Sequence, residues 1–192
     1  MRTELDVVNA CLATMGERPL NSLSDPHTWR AAAQDKLRKA SERLQSKGYW
    51  FNRERITLTP NLVDSYIYLP GDALKVTSTN PDYVVRGDKL FNLDGGTYIF
   101  TAAQMLVVVR DVPFEDLPHT AQTLIEAQAV MSFQADYDSD ATKMRQLAAD
   151  MSQASADFNR EETRQVRANM IESSAKLQSI KNVYRCIRSP IR

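Results

Sequence analysis

The hydrophobic period changes twice along this chain, and the two switches divide it into three segments. Up to Gly48 apolar residues recur every three or four positions. From Tyr49 to Val112 they alternate or cluster in short β-branched and aromatic runs, and from Pro113 the helical spacing returns. This pattern predicts an α+β fold with helices and strands segregated: a four-helix-bundle-like domain carrying a small antiparallel β-sheet domain inserted between helices 2 and 3. The expected boundaries are 1–48 with 113–162 for the helical domain, 49–112 for the β domain and 163–192 for a C-terminal arm.

The helices have punctuation as well as period. Thr3 with Asp6 reads as a capping box, Leu5, Val8, Leu12 and Met15 share a face that Cys11 flanks, and Gly16 supplies a stop. Asp25 and Pro26 read as the cap and first residue of a second helix, with Trp29, Ala33, Leu37, Ala40 and Leu44 at helical spacing as far as Lys47-Gly48. In the third, Leu117, Ala121, Leu124, Met131 and Ala135 make one apolar face and Ile125, Ala129 and Phe133 a second, so it is buried on two sides. Ser139 or Asp140 caps a fourth, with Met144, Leu147, Ala148, Met151, Ala154 and Phe158 on its face, expected to fade near Glu161.

Between the helices, the runs "RITLTP", "SYIYLPG", "LKVTST", "DYVVRGDKLFNLDGGTYIF" and "QMLVVVRDV" predict a meander of about four to six strands. Arg86-Gly87-Asp88 and Asp94-Gly95-Gly96 are turn signals. The first also matches an adhesive triplet, but Gly-Asp at a tight strand turn is ordinary turn chemistry. Where helix gives way to strand, Gly48 is followed by three aromatics, and Tyr49, Trp50 and Phe51 are expected to anchor the corner between the domains.

At 192 residues and 43% hydrophobic content the chain has enough apolar material for one packed core with an insertion. Twenty-four basic residues balance twenty-four acidic ones, which leaves no overall field announcing nucleic acid. The exception is the C-terminal arm, where seven Lys and Arg residues from Arg164 to Arg192 face only Glu172. Two cysteines at opposite ends predict free thiols and no zinc site. The longest strictly apolar run, Met105 to Val109, is far short of the roughly 20 residues of a membrane span, and "MRTELDVVN" does not open like a signal peptide.

Candidates for chemistry are few. His27 and His119 both stand at helix starts beside prolines. Glu115-Asp116 offers a carboxylate pair of the kind glycoside hydrolysis needs, and Asp136, Asp138 and Asp140 a hard-cation cluster, but helix-terminus and loop roles account for both. "DYDSD" lacks the glycine and closing glutamate of a calcium loop, and no phosphate-cradling glycine motif opens a helix. No catalytic, cofactor-binding or metal residue is assigned, and no cofactor is expected.

The order of features carries more than any single motif. "LDVVNACLATMGERPLNSL", then "LQSKGYWFNRERITLTP", "YIYLPGDALKV", a glycine turn and "VRDVPFEDLPHTAQTLIEAQA" resembles the tail tubular protein A family, head-to-tail adaptors of short-tailed bacteriophages, over about residues 3–165. The resemblance implies a structural virion protein of the tail, assembled in the host cytoplasm, without catalytic residues. It implies a twelve-subunit homo-oligomeric ring between the portal protein and a tail nozzle protein of the tubular B type, enclosing a DNA channel without sequence-specific binding and touching no membrane.

The physical reading of the residues adds particulars to that expectation. A closed ring needs apolar surface on elements already packed internally, which assigns Ile125, Ala129 and Phe133 to the subunit interface. A conduit must not grip phosphates, so its wall is expected to be mixed or acidic, with "DYDSD" and the exposed face of helix 4 as candidates. The arm is expected to dock on the portal through Val183, Ile187 and Ile191 as apolar anchors and Arg185 and Arg188 as charged ones. Two other readings stand beside the adaptor: a DNA-binding module using the basic arm, and a tail-associated glycan hydrolase using the carboxylates.

Overall fold

A computed structural model describes the backbone of residues 2–187 and the side chains of residues 2–168. The elements run α1 (Glu4–Thr14), α2 (Arg30–Gln45), β1 (Arg53–Leu58), β2 (Ala73–Ser78), β3 (Tyr83–Arg86), β4 (Lys89–Asn92), β5 (Gln104–Arg110), a 3-10 turn (Phe114–Asp116), α3 (His119–Tyr137) and α4 (Ala141–Ile187). This is the α+β arrangement the alternating periods predict, with the sheet between the second and third helices.

The caps at both ends of α1 are as read. Thr3 Oγ1 accepts from Asp6 N at 3.2 Å while Asp6 Oδ2 accepts from Thr3 N at 2.8 Å, closing the capping box. Gly16 at φ +74° ends the helix, with Glu17 N reaching back to Leu12 O at 3.1 Å. The start of α2 differs. Its first helical residue is Arg30, and Asp25 instead turns its carboxylate back to accept from Asn21 N and Ser22 N, both at 3.0 Å. A side chain turned back into the preceding turn does not cap the helix, and α2 begins four residues late. At α4 the choice falls on Asp140, whose Oδ1 accepts from Thr142 N and Lys143 N.

The strands do not form a simple meander. β5 lies in the middle of a three-stranded antiparallel sheet ordered β1-β5-β2, and β3 and β4 make a separate hairpin. The central place falls to the most apolar strand, "QMLVVVR", because an inner strand is covered on both edges. Arg53 faces Val109 and Leu58 faces Gln104, so β1 runs from the domain junction to the far end of the sheet. The Gly87-Asp88 loop closes the β3–β4 hairpin as read, with Gly87 at φ +64°. Ile67, Leu90, Phe100, Leu106 and Val108 form the core of this domain.

In the helical domain two apolar clusters lie on either side of α3. One gathers Val7, Leu37, Leu44, Phe114, Leu124, Ile125, Ala129 and Phe158; the other Val8, Cys11, Leu12, Leu20, Ala33, Val130 and Phe133. α4 does not stop near Glu161 but continues as one helix to Ile187. No helix among the described residues is long and apolar enough to cross a membrane.

Candidate functional site

Two chain crossings join the domains, 45–53 on the way into the sheet and 110–112 on the way out, and two buried amide side chains tie them together. Asn52, 1% exposed, accepts at Oδ1 from Tyr49 N (2.9 Å) and donates from Nδ2 to Gln45 O (3.0 Å) and Arg110 O (2.9 Å). Gln45, fully buried, accepts at Oε1 from Val112 N (2.8 Å) and donates from Nε2 to Val112 O (2.9 Å) and Ser41 Oγ (2.9 Å). A buried amide with its partners satisfied on both crossings fixes their relative position, because any hinge motion would strand several polar groups away from water. Gln45 and Asn52 were not singled out from sequence. The available signal was an amide at the end of an apolar helix stripe and another closing the run of three aromatics.

The aromatics sit where the corner reading places them, but their partner is new. Tyr49, Trp50 and Phe51 are each partly buried against the first helical cluster. Phe158 of α4 meets Tyr49 edge-on at 4.7 Å and Trp50 at 5.4 Å between ring centroids, while Trp50 and Phe51 make a T-shaped pair at 5.2 Å. Gly48 has φ +77°, and a Cβ there would lie 2.7 Å from Val109 Cγ2, so the side chain of the central strand's Val109 packs directly on the Gly48 backbone. Next to this corner Arg110 of β5 links β1 to the turn that precedes β2, donating from Nε to Glu54 (2.7 Å) and from Nη1 to both oxygens of Asp72 (2.8 and 2.7 Å). Those hydrogen bonds hold the Asp72 carboxyl below its ordinary range.

The interface assignment for α3 is overturned. Ile125, Ala129 and Phe133 are all 0% exposed inside the subunit, the first two in one cluster and Phe133 in the other, where Trp29 meets it edge-on. A helix apolar on two faces here packs against α1, α2 and α4 of its own chain, so internal neighbours cover Ile125, Ala129 and Phe133. What remains outward on α3 is Met131 and Ala135, which with Met144 and Met151 of α4 and Arg43 of α2 line an open groove of about 370 Å³.

The residues weighed for chemistry have structural occupations. Asp136 pairs with Lys36, Asp138 takes bonds from Lys143 (2.8 Å) and Gln134 (2.6 Å), and Asp140 caps α4. Glu115 and Asp116 are exposed neighbours in a single 3-10 turn. His27 Nδ1 accepts from Trp29 N at 3.2 Å, and His119 opens α3 at the surface. Cys11 is buried, and that burial pushes its thiol up to about 12. Of the docking residues, Val183, Arg185 and Ile187 fall on the backbone of α4 beyond the described side chains, and Arg188 and Ile191 lie outside the described residues.

With this geometry in place, comparison with known proteins bears directly on the chain. A family model described as "Tail tubular protein" matches residues 5–180. Over 120 residues the chain is 32% identical to "Tail tubular protein A" of Klebsiella phage KP34, a match spanning 62% of this chain and 64% of that relative. The span matched by the family model, residues 5–180, includes both domains and both crossings between them. The chain therefore belongs to the tail tubular protein family and is a structural component of the phage tail.

Proposed function

We propose that the chain is one subunit of a twelve-membered ring that joins the portal to the tail nozzle and surrounds part of the path along which DNA leaves the capsid. The supporting observation is the length of α4. Its last buried residue among the described side chains is Phe158, yet the helix continues to Ile187, an extension of about 44 Å at 1.5 Å per residue. A basic helix that continues so far past its last buried residue among the described side chains is suited to reach an adjoining component. Val183, Arg185 and Ile187 fall on it, with Arg188 and Ile191 just after, and in this reading they dock on the portal.

The junction suits the same role. A ring transmits load through its subunits, and amide clamps at both crossings with an aromatic corner hold the two domains as one piece. The described outer face of α4 carries Arg145, Asp150, Asp157, Arg160 and Arg164, with Arg160 paired to Asp157 and Arg164 to Glu161. A wall of such mixed and paired charge would let duplex slide past with few lasting phosphate contacts. Neither a DNA-binding module nor a glycan hydrolase gains a comparable observation.

Mass photometry of the purified chain, alone and with portal rings, tests the proposal. The expected result is ring-sized particles with portal present, lost when residues 170–192 are deleted. A stable monomer under both conditions overturns it.

A further inference from the structure

Exposed large apolar side chains are concentrated on the β domain, and two of them stand at the tip of one loop. Between β1 and β2, Leu62 is 101% and Val63 94% exposed. The loop that carries them is tightly held. Asn61 N donates to Tyr66 O (2.8 Å), Ser65 N to Asn61 O (2.9 Å) and Val63 N to Asn61 Oδ1 (2.8 Å), and Phe100 N donates to Ser65 O (2.9 Å). Ser65 adopts φ +61°, a left-handed conformation that costs a non-glycine residue energy. Asp64 accepts from Tyr66 N (3.0 Å) and from the Tyr68 hydroxyl (2.6 Å). Ordering a loop around two aliphatic side chains in water is unfavourable unless something covers them, and a pre-ordered loop loses little entropy when that happens.

A receptor with matching chemistry lies on the other domain. The groove between α3 and α4 has Met131, Ala135, Met144 and Met151 along it, and it continues past Arg43 into a cleft of about 600 Å³ bordered by Lys36 and Lys39. Methionine lines adaptable apolar surfaces. Gln128 lines both the groove and the cleft and marks the point where they meet. Lys36 is paired with Asp136 and Lys39 with Asp35, and Glu42 lines the same cleft, so the cation left without a carboxylate partner among the described residues is Arg43, which favours an occupant carrying a carboxylate over the basic C-terminal arm.

The loop cannot reach the groove of its own chain. Leu74, the β-domain residue bordering the cleft, is next to Ala73, which pairs with Arg110 at the junction. The Leu62-Val63 tip follows the opposite end of β1, six residues and about 20 Å along the strand. We infer that the Leu62-Val63 loop of one copy of this chain seats in the methionine-lined groove of the next copy, with Asp64 toward Arg43. Two different faces meet in such a contact, so it is heterologous and propagates from subunit to subunit until it closes a ring.

This inference rests on the ring reading, and cross-linking separates the two. In a Cys186→Ser background, in which the remaining Cys11 is buried, Val63→Cys and Ala135→Cys are made singly and together, and each protein is oxidised after assembly on portal. The double variant is expected to give a ladder of disulfide-linked multimers, a mixture of the two single variants a linked dimer, and either single variant alone no product. Val63→Cys linking to itself, or rings that form without any ladder, would overturn the loop-in-groove contact while leaving the ring standing. Absence of rings even for the unmodified chain would remove both. As a second readout, Leu62→Asp with Val63→Asp should weaken assembly at least about tenfold. Its unfolding midpoint should be unchanged, because both side chains are solvated in the free subunit. Rings forming at the original concentration from that variant would also count against the contact.

Discussion

Replacing Asn52 by alanine removes three hydrogen bonds at a position 1% exposed, and their geometry lets the cost be worked bond by bond. Gln45 O keeps a second donor, Gly48 N at 3.0 Å, so it loses only the net worth of one bond, about 1 kcal/mol. Arg110 O loses one bond, for about another 1 kcal/mol. Tyr49 N is left with no partner in the aromatic corner, which costs about 1–3 kcal/mol for a stranded buried donor. The sum is about 3–5 kcal/mol, a large share of the 5–15 kcal/mol typical of a folded domain. Urea unfolding followed by tryptophan fluorescence measures it directly, since Trp50 is two residues away. The midpoint should fall with an unchanged slope. Asn52→Asp should be at least as costly, because a carboxylate keeps the acceptor for Tyr49 N but faces the Gln45 and Arg110 carbonyls as a buried charge. An Asn52→Ala protein within about 0.5 kcal/mol of the parent, the scatter of ordinary surface substitutions, would refute the clamp.

The corner and the sheet give two further expectations. Phe158→Ala deletes a ring 1% exposed that touches both Tyr49 and Trp50 and should cost about 3–5 kcal/mol by the same unfolding assay, whereas Trp50→Ala, at a half-buried site, should cost about 2 kcal/mol. Equal losses would mean that Trp50 carries load the geometry does not assign to it. Asp72 titrates below its ordinary 3.8 in the folded state because of the Arg110 hydrogen bonds. Its contribution is therefore complete above that value and lost as pH falls through the lower folded one. The stability gap between the parent and Asp72→Asn should narrow below about pH 4, and a gap independent of pH in acid would remove Arg110 as its source.

Much of the candidate site was legible as position but not as partnership. "GYWFN" marks a corner because the period changes there and Gly48 can take φ +77°. That Tyr49 and Trp50 meet Phe158, more than a hundred residues on, depends on where α4 lands. Asn52 and Gln45 look like solvated amides in a sequence, since a polar residue beside an apolar run has no local mark of burial. Their role exists only because Arg110 and Val112 return to the same place. The interface assignment of Ile125, Ala129 and Phe133 failed for a related reason. A doubly apolar helix announces that both faces are covered without saying whether the cover is internal or another subunit.

What the sequence by itself determined are the features whose energies are settled within a few residues. These are the two changes of hydrophobic period, the Thr3–Asp6 capping box, a cap for α4 at Ser139 or Asp140 and the glycine turns at 16, 48 and 87, each a matter of backbone geometry and near-neighbour hydrogen bonds. Only the tertiary structure decided that β5 takes the middle of the sheet, that Asp25 serves its own turn, that α3 spends both faces internally and that the Leu62-Val63 tip is left in water. Those outcomes turn on which distant segments exclude water from one another, and burial is a property of the assembled chain, decided by contacts between residues far apart in sequence.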